Sequence, residues 1–164
     1  MIQSVNPAPT DETDGLPMPK RIWAVISVGF ALCMSVLDVN IINIVLPTLS
    51  HDFGTSPAVT TWIINGYQLA IVVSLLSFSA LGEIIGYRKV YLSGIGLFCI
   101  TSLICALSDS FWTLTIARIF QGFSASAITS VNTAQLRYIY PKSQLGRGMG
   151  INAMVVAISA AAGP

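Results

Sequence analysis

Five apolar stretches follow one another along this chain with only short polar breaks, and each is about the length that crosses a bilayer. A spanning helix needs about 20 mostly apolar residues, and the stretches lie at roughly 22–46, 62–85, 90–107, 111–136 and 148–164. No soluble packing of 164 residues hides them all. Only 9% of the residues are charged and 54% are hydrophobic, whereas a soluble domain uses roughly 25% charged residues. So few charges cannot clothe a surface facing water, and most of the exterior must face lipid. The expected fold class is therefore all-α, a helical membrane bundle of about five spans.

Composition also removes several function classes. A net charge of +1 offers no basic field for a nucleic acid. Cys33, Cys99 and Cys105 each sit inside an apolar run, with no CxxC pair and no His/Cys cluster, so they read as filler and not as metal ligands or disulfide partners. His51 stands alone. No nucleophile–base pair, metal-ligand set or phosphate loop is visible, so neither an enzyme nor a bound cofactor is expected.

Residues 1–21 read as a disordered N-terminal tail, polar and carrying Pro7, Pro9, Pro17, Pro19, Asp11, Glu12 and Asp14. The apolar run that follows is too long for the core of a secretory signal and lacks a small-residue cleavage site, so it is an uncleaved span. Residues 22–164 form a partial transmembrane domain. Seven of the eight bases, Lys20, Arg21, Arg88, Lys89, Arg137, Lys142 and Arg147, fall before the first span or in alternate loops. The other two loops hold only His51, Asp52 and Asp109 as ionisable groups. The positive-inside rule then places the N-terminus in the cytoplasm of a cell whose inner membrane holds the chain. A spanning helix normally has polar residues beyond its far end, and none follow Gly163-Pro164. The chain accordingly reads as the N-terminal part of a longer protein, missing a second helical half.

Two ionisable residues lie at membrane depth, where each costs roughly 2.5–3.5 kcal/mol on insertion scales: Asp38 in the first span and Arg118 in the fourth. At about 1.5 Å per residue, Asp38 lies about 12 Å before the outer end of its helix and Arg118 about 10 Å after the outer end of its own. Opposite charges at similar depth suit a pair or a shared wet cavity. One reading is an ion pair that only fixes packing. The other is a carboxylate that exchanges a proton or attracts a cation, tuned by Arg118. Asn40 and Asn43 add amides near Asp38, either lining a cavity or bonding a neighbouring helix, and Tyr67 and Gln68, deep in the second span, are further candidates to face that cavity. Small residues at four-residue steps, Gly122, Ser126, Ser130 and Ala134 after Arg118, and Met149, Ala153, Ala157 and Ala161 in the last span, mark faces for close helix packing.

The run from Leu37 through Asp38, Asn40 and Asn43 to Leu46-Pro47 resembles the first-helix LDxTIVNVALP motif of the major facilitator superfamily, in the form found in its fourteen-helix drug:H+ antiporter branch. Ser79 to Lys89 resembles the loop signature GxLaDrxGrk, with Ser79, Glu83 and Ile84 departing from its Gly, Asp and Arg. Arg118, Gln121 and Gly122 match RxxQG in the fourth helix. Ser159 with Gly163 and Pro164 begins the antiporter motif GxxxGPxxGG, Ser159 replacing its first Gly. These motifs stand in order from residue 37 to 164. The resemblance implies a proton-coupled exporter of small amphipathic molecules, driven by the proton gradient and working by alternating access. It implies a gate at Glu83, Gly86, Arg88 and Lys89 that meets the other half, a cavity that Gln121 joins, and a proton-leak seal at Gly163 and Pro164. Glu83 has a plainer reading as a surface ion pair with Arg88, worth about 0–1 kcal/mol.

Overall fold

The computed structural model describes residues 15–162, and almost all of them are helical. The helices are α1 (Met18–Asp52), α2 (Pro57–Thr60), α3 (Trp62–Ile85), α4 (Tyr87–Ala106), α5 (Phe111–Ile139) and α6 (Leu145–Ala161), with a 3-10 turn at Lys142–Gln144. No strand occurs among the described residues. The acidic part of the tail, and Gly163 and Pro164, lie outside them.

α1 is longer at both ends than its apolar run. It starts at Met18 because Pro19 sits in the first turn, where a missing N–H costs nothing, so Lys20 and Arg21 are helical and do not belong to the tail. It also continues through Pro47, beyond residue 46 where the apolar run stops. A proline near a helix end gives up its own backbone bond while the rest of the ladder carries on. At 35 residues the helix is about 52 Å long at 1.5 Å per residue. Its polar last turn, Ser50-His51-Asp52, therefore stands clear of a hydrocarbon layer about 30 Å thick.

α3 and α4 are joined by one residue, Gly86, at φ 99°. L side chains avoid that region, and the glycine makes the reversal possible. α5 is the central helix, packed along α3 and α4, while α6 lies chiefly on α1. α5 comes close to α3 at Gly122, where an added Cβ would run into the Tyr67 carbonyl oxygen and lie 2.8 Å from Ala70 Cβ. At Gly94 of α4 a Cβ would lie 3.1 Å from Ala127 Cβ. Small residues thus set the packing of α5, as the four-residue stripe predicts. The stripe on α6 behaves otherwise: Met149, Ala153, Ala157 and Ala161 are exposed, and the helix buries Gly148 and Ser159 instead.

Among the described residues three helical segments are long and apolar enough to cross a membrane, Met18–Asp52, Pro57–Ile85 and Tyr87–Ala106. α5 has the length but carries Gln121, Ser124, Ser126 and Asn132, all buried. A helix enclosed by others need not be apolar, because neighbours satisfy its polar groups; Ser126, for example, donates to the Ile71 carbonyl at 3.3 Å. The exterior is apolar, with Val72 and Leu76 of α3 and Ile100 and Leu103 of α4 exposed, as lipid requires. The protein is a membrane protein.

Candidate functional site

The depth of α5 in the bundle decides what surrounds Arg118. One turn away, Gly122 lets α3 come close, and the Tyr67 ring then lies under the guanidinium, 5.8 Å from its carbon to the ring centroid. That distance suits a cation–π contact. From α1, Asp38 meets the same group: Arg118 Nη1 donates to Asp38 Oδ2 at 2.6 Å, with side-chain exposures of 5% and 16%. Gln121 Nε2 donates to Asp38 Oδ1 at 3.1 Å, so both carboxylate oxygens are held. Gln121 is fully enclosed, and Cys105 of α4 donates its thiol to Gln121 Oε1 at 3.5 Å. The Nε of Arg118 is buried without a hydrogen-bond partner among the described residues. The carboxylate of α1 is thus held by two donors of α5, and these in turn are backed by Tyr67 of α3 and Cys105 of α4.

Such a pair is expensive to take out of water, and removing one partner from a buried pair typically costs about 3–5 kcal/mol because the other charge is left uncompensated. Its chemistry follows from the donor set. The carboxylate is clamped by one charged and one neutral donor, and Arg118 Nε is a further donor that no described residue uses.

The other candidates are placed apart from this cluster. Asn40 reaches α6, its Nδ2 donating to the Ala160 carbonyl at 3.4 Å, and Asn43 donates to Val39 of its own helix at 3.1 Å. Gln68 is exposed on α3. Cys105, which its surroundings in the sequence mark as filler, belongs to the cluster. A lone thiol in an apolar run carries no local signal of that.

The base-rich end of the bundle is knit separately. Arg21 Nε donates to the Leu16 carbonyl at 3.1 Å and its Nη1 to Gln144 Oε1 at 3.1 Å, tying the start of α1 to the α5–α6 connection. Beside them a cleft of about 750 Å³ is lined by Glu83, Tyr87, Arg88, Tyr91, Gln135 and Tyr138. Glu83, Gly86, Arg88 and Lys89 are all exposed. Glu83 makes no ion pair with Arg88: the ion pairs among the described residues are His51–Asp52 and Arg118–Asp38.

A polar cluster enclosed by membrane-length helices defines an integral membrane protein whose interior, and not its surface, holds the charged site. Residues 28–164 match the model of the Major Facilitator Superfamily, and the chain belongs to that family. It is 52% identical over 156 residues to the uncharacterized transporter YebQ of Escherichia coli, covering 95% of this chain and 34% of that protein. It is 32% identical over 146 residues to the riboflavin transporter RibZ of Clostridioides difficile, covering 88% and 32%. It is 33% identical over 156 residues to the tetracenomycin C resistance and export protein of Streptomyces glaucescens, covering 95% and 28%. The chain spans about a third of the length of these relatives.

Proposed function

We propose that the whole protein is a proton-coupled exporter of amphipathic, often cationic, small molecules, working by alternating access in the cytoplasmic membrane with its N-terminus inside. Asp38 is the coupling carboxylate and Arg118 tunes it. Glu83, Gly86, Arg88 and Lys89 act at the inner gate, Gly163 and Pro164 act as a seal against proton leak, and a second helical half completes the cavity. The observation that carries this reading is the Asp38–Arg118 pair with Gln121 on its second oxygen. A salt bridge is a costly way merely to pack two helices, and ionisable groups at membrane depth mark ion and substrate paths. Similarity to an export protein supports the direction of transport. A second reading, transport of a metabolite, is favoured by the similarity to a riboflavin transporter.

The test uses the whole transporter in vesicles. Asp38→Asn keeps the size but cannot titrate, and its single oxygen can accept from only one of the two donors, so pH-gradient-driven efflux should collapse while insertion persists. The double variant Asp38→Asn/Arg118→Gln leaves no unpaired charge, so it should recover folding and not transport. Near-normal efflux by that double variant would refute the coupling role and leave a packing role only.

A further inference from the structure

We propose that Cys105 is a positioning residue for the Asp38 site, its thiol fixing which way the Gln121 amide faces; this deepens the coupling role proposed for Asp38 and rests on it. The argument is one of donor direction. An ionised carboxylate only accepts hydrogen bonds, so the Gln121 atom beside Asp38 Oδ1, 3.1 Å away, must be the amide nitrogen. That turns Oε1 the other way. A carbonyl oxygen also only accepts, and the group within reach is the Cys105 sulfur at 3.5 Å, which can donate its S–H.

Gln121 is fully buried, so water is not at hand to replace either contact. Turning the amide over would set Oε1 against the carboxylate and Nε2 against a weak sulfur acceptor, which spoils both contacts at once. The thiol thus reinforces the orientation that the carboxylate selects, holding the amide from its other end. The chain of donors runs from α4 through α5 to α1, so the charge on Asp38 is linked to a helix that does not touch it. Removing the thiol leaves Oε1 buried without its donor and releases the amide, at a cost in the range of a single modest hydrogen bond.

The test is infrared titration of Asp38 in the whole transporter reconstituted in lipid, the carboxyl band being assigned by its loss in Asp38→Asn. Cys105→Ser keeps a donor and should keep the apparent proton affinity of Asp38 within about twofold of the native value. Cys105→Ala should change it roughly two- to tenfold, and Cys105→Val, which keeps the volume without the donor, should do the same. In a Gln121→Leu background the Cys105→Ala change should add nothing, because the amide it acts through is gone. A native titration in both donor-less variants overturns the inference, and so does a serine variant as altered as the alanine one, or an undiminished effect in the Gln121→Leu background. A carboxyl band at Asp38 that never titrates overturns the coupling role and this inference together; a band that titrates natively in Cys105→Ala and Cys105→Val overturns this inference alone.

Discussion

Adding a single methyl group at Gly122 tests the packing that builds the site. An alanine there places its Cβ against the Tyr67 carbonyl oxygen and 2.8 Å from Ala70 Cβ. The first of these neighbours is backbone, so relief requires α3 and α5 to move apart. Overpacking of this kind costs about 1–3 kcal/mol, and the gain from replacing a helical glycine returns roughly 0.5–1 kcal/mol. Gly96→Ala is the matched control, because nothing lies within 4 Å of a Cβ at that exposed position of α4 and only the gain remains. The two variants should therefore differ by about 1–3 kcal/mol, which at about 2–4 °C per kcal/mol for a chain of this size is roughly 2–12 °C in Tm. Gly94→Ala, 3.1 Å from Ala127 Cβ and Ile128 Cγ1, should fall between them. Thermal unfolding of the detergent-solubilised proteins, followed by far-ultraviolet circular dichroism, measures the order directly. A Gly122→Ala protein melting at or above Gly96→Ala would refute the claim that the glycine sets the α3–α5 distance. It would also remove the basis for saying that this distance holds Tyr67 under Arg118.

Gly86→Ala meets no atom within 4 Å, so its whole cost is the conformation at φ 99°, about 1–3 kcal/mol; unchanged thermal stability would show that the α3–α4 connection can adopt another backbone path. Reporter fusions near residues 52 and 109 should report the outside and fusions near 88 and 142 the cytoplasm, since the bases cluster at one end of the bundle; a reversed signal at any two of these sites would overturn the proposed orientation.

The sequence by itself determined that the chain is helical and lives in a membrane, because the length and apolarity of its runs allow no other way of satisfying the backbone in lipid. It also singled out Asp38 and Arg118, since charges stand out against an apolar background. It located the tight reversal at Gly86, where basic residues and a glycine interrupt the apolar pattern. Its helix ends were less secure. Pro17 and Pro19 permit an early start to α1, and the helix runs on through Pro47, so these ends depend on how much of the ladder survives a proline. Other features rest on contacts between residues far apart in the chain. Gln121 lies 83 positions from Asp38, and Cys105, whose thiol meets the other end of the amide, lies on a third helix. Glu83 and Arg88 sit five positions apart and look like a pair in sequence, yet they form no ion pair, although both line the same cleft. Composition and spacing report what a segment can do alone, whereas the carboxylate clamp exists only because α1 and α5 meet, with Gly122 allowing α3 to bring Tyr67 beneath the guanidinium.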